Sequence, residues 1–179
     1  MIFLIIFVVI IGALTLAYSI YLLDTAAGKD LPTTNKALDE IVKIISDVAP
    51  ETSQFVDFGS GKGQFGVRLA QKLKKPVLGY EKNSVRVFFS NLRAKLFGAN
   101  AKFINKNFLK EKIELSPDTV LYTYIAWHLM PILENLLKSQ GFKGYLITNT
   151  SRLPNIQPIK KIQVHPEDLY FEVLHIYKF

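Results

Sequence analysis

Three glycines, Gly59, Gly61 and Gly63, are spaced by one residue each and follow an apolar stretch that holds a single acid, Asp57. The full run is Val56-Asp57-Phe58-Gly59-Ser60-Gly61-Lys62-Gly63-Gln64-Phe65-Gly66. Its pattern predicts a strand over Phe55–Phe58 and a helix over Gln64–Leu73. A strand, a glycine loop and a helix in that order form a cradle for a nucleotide-like ligand. Glycine lets the backbone turn sharply and approach a ligand with no Cβ in the way. The helix start behind the loop offers N–H groups that have no intrahelical acceptor. A plain glycine-rich turn is the default for one GxG; three glycines after an acid-ended strand favour a ligand.

Two ligands compete. Gly61-x-Gly63-x-x-Gly66 also satisfies the dinucleotide fingerprint, whose N–H groups hold a pyrophosphate. The alternative is S-adenosylmethionine (SAM). Asp57, two residues before the first glycine, suits the ammonium of SAM and would repel a nearby pyrophosphate. Asp57-x-Gly59-x-Gly61-x-Gly63 resembles the first motif of class I methyltransferases. Val77-Leu78-Gly79-Tyr80-Glu81 reads as a second strand with an acid at its tip, 22 positions after Gly59. An acid there can accept both ribose hydroxyls. NAD enzymes use the same device, so Glu81 supports a nucleoside without separating the two ligands. The plainer alternative for Glu81 is a surface carboxylate paired with Lys82. Candidate cofactor residues are Asp57, Gly59, Ser60, Gly61, Gly63, Glu81 and Lys82, with Asn107 and Phe108 after the third strand.

These residues need a scaffold of alternating strands and helices. A helix is expected over Asn35–Val48, with Leu38, Ile41, Val42, Ile44 and Ile45 on its buried side and Thr34 or Asn35 as cap. After the second strand, Ser84 is the expected cap of a helix over 84–97 that stops at Gly98. Strands follow at Ala101–Asn105 and 119–125, then a helix over 129–137 and a strand over 144–148. The segments 161–164 and 170–177 read as two strands joined by a connection containing Pro166. Alternation of this kind implies a mostly parallel sheet. The expected fold is α/β: a Rossmann-like class I methyltransferase sheet with helices on both faces and a C-terminal antiparallel strand pair, preceded by one transmembrane helix. A dinucleotide domain would continue with further βαβ units and a substrate domain, which again weighs for SAM.

Residues 1–23 contain no Asp, Glu, Lys or Arg. About 20 apolar residues span a bilayer core as a helix. Tyr18 and Tyr21 fit the interfacial aromatic belt. A cleaved signal peptide normally has a basic n-region and a shorter core; Ala26-Ala27-Gly28 is the one stretch that mimics a cleavage site. Lys29, Lys36 and Lys43 all follow the span, so the positive-inside rule places the domain in the cytoplasm of a single-pass membrane protein. The expected organisation is an anchor at 1–23, a linker and N-terminal helix at 24–49, and a SAM-dependent methyltransferase domain at 50–179.

Charge is unevenly spread. Residues 24–53 hold three basic and six acidic side chains, whereas 54–179 hold nineteen basic and nine acidic, a net of +10. A basic domain on a tether can lie against anionic lipid. Its Lys and Arg are scattered over several elements without interleaved aromatics, so nucleic acid is not the expected partner. The expected partners are the bilayer and a membrane-protein substrate. No cysteine is present, which excludes disulfides and thiolate metal sites, and no His/Asp cluster suggests a metal.

Over roughly 50–150 the motif and element order resemble class I SAM-dependent methyltransferases. The anchor, the segment Leu31-Pro32-Thr33-Thr34 and the glycine loop together resemble a small family of membrane-anchored protein-lysine methyltransferases, whose mitochondrial members modify the c subunit of ATP synthase and the adenine nucleotide translocase. Val120-Leu121-Tyr122-Thr123-Tyr124-Ile125, Leu129-Met130-Pro131-Ile132-Leu133-Glu134 and Arg152-Leu153-Pro154-Asn155-Ile156-Gln157-Pro158 are similar to segments of that family. The chain departs at Asn107-Phe108, where the family usually carries an acid; the Asn107 amide oxygen would then accept from the adenine amino group. The resemblance implies methyl transfer to a lysine amine. Tyr124 and Trp127 are the candidate catalytic residues, at the carboxyl end of the fourth strand where open α/β sheets place ligands. Tyr122 and His128 share that neighbourhood, with core packing and a surface helix start as their plainer roles. No Asn/Asp-Pro-Pro-aromatic motif follows the fourth strand, which argues against amino-methylation of adenine. A lipid or small-molecule methyltransferase and an inactive SAM-binding module are the alternatives.

Overall fold

In a hydrocarbon environment the backbone must satisfy its own polar groups, and a helix does so within the segment. Ile2–Ala26 forms one helix, α1. Its hydroxyls turn back on the helix: Thr15 Oγ1 donates to the Ile11 carbonyl at 2.7 Å and Ser19 Oγ to the Thr15 carbonyl at 2.9 Å. The window Ile2–Ser19 has a mean hydropathy of 2.7 with none of it buried, long and apolar enough to cross a membrane. A signal sequence near an N-terminus passes the same test of length and apolarity.

The computed structural model describes residues 1–26, 32–167 and 172–179, without the side chains of 20–26. The Tyr21 side chain, Ala27-Gly28 of the cleavage-site mimic, Lys29 and the expected start of the last strand at Tyr170 therefore lie outside what is described. The chain divides into two compact units, Met1–Leu31 and Pro32–Phe179.

The second unit begins with α2, Asn35–Val48. Thr34 is its cap, Oγ1 accepting from Ala37 N at 3.1 Å. Ala37, Leu38, Ile41, Ile44 and Ile45 face inward. Each of the four larger side chains contributes about 1.5–3 kcal/mol by burial. Then follow β1 (Phe55–Phe58), α3 (Gln64–Leu73), β2 (Val77–Glu81), α4 (Ser84–Leu96), β3 (Ala101–Asn105), β4 (Val120–Thr123), a 3-10 turn (Trp127–Leu129), α5 (Met130–Ser139), β5 (Tyr145–Asn149), β6 (Lys160–Gln163) and β7 (Val173–Lys178). The seven strands form one sheet in the order β3-β2-β1-β4-β5-β7-β6. The first five pair in parallel, and β7 is antiparallel to both β5 and β6.

Strand alternation divides the core. Phe55, Tyr122, Ile147 and Ile176 pack with Leu38 and Ile41 of α2 and Phe65 and Leu69 of α3. Val56, Phe58, Leu121 and Leu146 turn the other way, onto Met130, Leu133 and Leu137 of α5. Helices thus cover both faces of this Rossmann-like sheet.

Two local expectations need correction. Asn83, not Ser84, caps α4: its Oδ1 accepts from Val85 N and Arg86 N at 3.0 and 3.2 Å. The fourth strand is shorter than 119–125, because its neighbour β1 offers only the four partners Phe55 to Phe58. Tyr124 and Ile125 consequently stand in the loop beyond the sheet's carboxyl edge.

Candidate active site

The loop after β1 is held by its neighbours. Gly59 N and Ser60 N both donate to the Tyr80 carbonyl, at 2.9 and 3.1 Å, and Gly63 N donates to the Ser60 carbonyl at 2.9 Å. Gly59, Gly61 and Gly63 have φ of 78°, 53° and 69°, a region open mainly to glycine. The glycines differ in what they avoid. A Cβ on Gly61 would make ordinary van der Waals contact at 3.9 Å with Arg86 Nη1 and the Gly59 carbonyl oxygen, so its positive φ, not a clash, calls for glycine there. A Cβ on Gly63 would stand 2.7 Å from Ser90 Cβ and 2.8 Å from Phe103 Cζ, so Gly63 serves helix packing. The Phe103 ring also lies where a Cβ of Gly66 or Gly79 would go. One aromatic thus fills the space left by three glycines.

Asp57 sits within β1, directly opposite Gly79 of β2 and Tyr122 of β4, and is 3% exposed. Burial pushes its carboxyl up to about 8, and the neighbouring Glu81 carboxylate adds to the shift. Glu81, at the tip of β2, is also buried. Its Oε2 accepts from Gly61 N at 3.1 Å and its Oε1 from Asn83 N at 2.9 Å, so it is not a surface carboxylate paired with Lys82. Lys82 itself is exposed.

Beyond β3, the Asn107 Oδ1 accepts from Leu109 N at 3.2 Å. A second donor would share that oxygen, which has two lone pairs. Phe108 is buried and stacks on Phe58 with ring centroids 4.5 Å apart. One edge of its ring lies 3.8 Å from where a Cβ of Gly59 would stand, which makes it an apolar wall beside the loop.

Tyr122, Tyr124, Trp127 and His128 are not equivalent. Tyr122 is buried, stacked on Phe65 at 3.9 Å, its hydroxyl pushed above its ordinary pKa chiefly by burial. Tyr124 is half-buried, and its hydroxyl accepts from Thr150 Oγ1 at a long 3.5 Å. Thr150 has φ 63°, rare for a β-branched residue. Such strain collects at functional positions. Trp127 is 78% exposed and His128 packs edge-on against it. The structure therefore brings Tyr124 and Thr150 together, and leaves Tyr122 in the core.

A buried polar network escaped the sequence reading. Glu172 is fully buried; its Oε1 accepts from Asn149 Nδ2 at 2.5 Å and its Oε2 from Thr34 Oγ1 at 2.6 Å. Asn149 Nδ2 also donates to the Tyr122 hydroxyl at 3.3 Å, and Thr33 Oγ1 shares a 2.6 Å hydrogen bond with the same hydroxyl. The segment before α2 is thus tied to the carboxyl ends of β4 and β5. The Thr33-Thr34 pair was visible as a motif fragment, but nothing in the sequence linked it to Glu172. Glu172→Leu would remove the nearest acceptor of the Asn149 amide and of the Thr34 hydroxyl. We expect a loss of about 3 kcal/mol in chemical denaturation of the full chain; an unchanged midpoint would show the network to be dispensable.

The cradle has the properties a SAM-sized cation needs. Ser60 Oγ is buried without a hydrogen-bond partner, and Asp57 is buried beside a second acid. Among the described residues no group of three His, Asp or Glu is placed to hold a metal ion.

The strand order, the glycine loop and the acids at the ends of β1 and β2 define the class I methyltransferase fold. No family model matches the chain. The carboxy-S-adenosyl-L-methionine synthase of Nautilia profundicola is 21% identical over 155 residues, which are 83% of this chain. The chain spans 64% of the length of that curated relative. Among solved structures, an RNA methyltransferase from Salinibacter ruber in complex with S-adenosyl-L-homocysteine superposes with a TM-score of 0.70 at 17% identity, covering 83% of this chain and 93% of that one. The N-methyltransferase NodS from Bradyrhizobium japonicum WM9 gives 0.60 at 12% identity, covering 83% and 97%. The Pyrococcus abyssi tRNA (uracil-54, C5)-methyltransferase gives 0.60 at 15% identity, covering 82% and 40%.

Proposed function

We propose that this chain is a SAM-dependent methyltransferase, held at a membrane by α1, whose acceptor is a lysine of a membrane protein. The observation that carries the SAM reading is Asp57: burial and Glu81 both disfavour its charge, and a ligand cation is what would restore it. In this reading Asp57 and Ser60 bind the methionine part, the backbone loop shaped by the positive-φ residues Gly59, Gly61 and Gly63 lies along the ligand, and Glu81 takes the ribose. Asn107 and Phe108 flank the adenine, with Lys82 at the exposed rim. SAM supplies a methyl group on a sulfonium, whose carbon–sulfur pair returns to sulfur as the nitrogen–carbon bond forms.

The chain's own residues align and desolvate the acceptor. A lysine amine must lose its proton before it can attack. Tyr124 Oη would accept a hydrogen bond from that amine and aim its lone pair, and Trp127 would flank the aliphatic stem. The membrane-protein substrate is supported by α1, which raises the effective concentration of acceptors at a bilayer, with the catalytic unit on the cytoplasmic side where SAM is made. Tyr124→Phe should slow transfer about tenfold, the worth of one hydrogen bond in the transition state, with SAM affinity unchanged. Membranes from cells lacking the chain, incubated with the purified protein and methyl-labelled SAM, decide the acceptor. Label in protein lysine supports the reading; label in lipid, with none in protein, removes it.

A further inference from the structure

A surface helix of a water-soluble domain buries one apolar stripe and shows polar residues opposite. α4 departs from that rule. Val87, Ser90 and Ala94 form its buried side, Val87 and Ala94 packing with Phe103 of β3. On the opposite side Val85, Phe88, Leu92 and Leu96 recur at three- and four-residue spacing, as residues of one helix face do. They are 38%, 60%, 41% and 74% exposed, and Phe97 just past the helix is 62% exposed. Each residue advances about 100° around a helix with 3.6 residues per turn. Lys95 therefore falls on one border of the stripe, and Arg86 and Arg93 on the other. The helix contains no acid.

We infer that this face of α4 docks on an anionic phospholipid bilayer. An apolar stripe bordered by cations is the pattern of a helix lying in the interface plane, with its side chains at the acyl boundary and its cations among head-group phosphates. The net charge of +10 over 54–179 attracts such a surface. A second copy of the chain is a poorer occupant, because pairing two such faces would bring basic borders together across a desolvated contact. The inference draws on the reading of α1 as a membrane helix, since that places lipid within reach of the second unit. α4 starts directly after Glu81 and its cap Asn83, so docking would hold the cofactor loop beside the head groups.

The chain has no cysteine, so single spin labels can be placed without background. The full chain, reconstituted in phosphatidylcholine vesicles with and without phosphatidylglycerol, would carry a label at Leu92→Cys or Leu96→Cys. Ser46→Cys, on the exposed side of α2, is the aqueous control, and Val8→Cys reports α1. Docking predicts that the Leu92 and Leu96 labels lose access to a water-soluble nickel complex and gain access to oxygen when the anionic lipid is present. Ser46 should stay aqueous, and adding Phe88→Glu should return the Leu96 label to water. Nickel access at both α4 labels in anionic vesicles overturns the inference. So does equal protection in both lipids, and so does protection that disappears as protein is diluted into lipid, which would mean self-association. The Val8 label keeps the two ideas apart. Oxygen access there with aqueous α4 labels removes docking and leaves the anchor; an aqueous Val8 with lipid-facing α4 removes the anchor and leaves docking.

Discussion

Asp57→Asn should weaken SAM binding about a hundredfold or more, the loss of roughly 3 kcal/mol when one partner of a buried charge pair is neutralised. The same change should stabilise the ligand-free chain at pH 8. The two effects have one cause. Asp57 has an ordinary carboxyl value of 3.8, raised in the folded chain to about 8. Between those values the folded state holds a proton that the unfolded state has lost. Stability therefore falls as pH rises through this window and levels off above it. Asparagine carries no such proton, so the variant should lack that decline. Ligand binding runs the other way. A cation beside Asp57 favours the carboxylate, so SAM must displace the proton, and affinity should rise about tenfold per pH unit up to about pH 8 and then flatten. Calorimetry near pH 7 in two buffers of different ionisation heat should report about one proton released. Unaltered affinity in the asparagine variant, or binding without proton release, would remove Asp57 from the cradle.

The second large effect is expected at Gly79→Ala. A Cβ there would stand 2.4 Å from Phe103 Cδ1 and 2.9 Å from Ser60 Cβ. Phe103 is 3% exposed and lies directly across the register from Gly79, so it has no free direction in which to retreat. Overpacking of this kind costs about 3 kcal/mol. Because Ser60 is the other neighbour, the glycine loop should shift and SAM affinity should fall with stability. Phe103→Leu alone should destabilise by about 1 kcal/mol, yet combined with Gly79→Ala it should recover part of the loss, a coupling of about 1 kcal/mol or more. Strict additivity in denaturant unfolding of the two single variants and the double would show that the ring does not dictate the glycine.

The sequence by itself determined what depends on neighbours along the chain. Hydrophobic periodicity located α2, α3 and the strands from Phe55 to Asn105, because each element's pattern repeats within a few residues. Uninterrupted apolarity located α1, and the spacing of Gly59, Gly61 and Gly63 after Asp57 located the cradle. Side-chain capping of α4 slipped by one residue because Asn83 and Ser84 are both capable caps and only backbone geometry chooses between them. Tertiary structure decided whatever joins distant positions. Glu172 meets Thr34 across 138 residues, which no local pattern encodes. Phe103 explains the needs of Gly63, Gly66 and Gly79 only once β3 lies beside β2. Tyr122 became a core residue because strand alternation turns it onto α2 and α3, and Tyr124 a residue of the open edge because β4 ends where β1 runs out of partners. Asp57 could be read as an acid from the chain, but its raised proton affinity comes from burial and from Glu81, and both exist only in the folded sheet. α4 carries apolar residues on two sides, and a linear pattern cannot say which side the core takes; packing on β3 buried Val87 and Ala94 and left Phe88, Leu92 and Leu96 facing out.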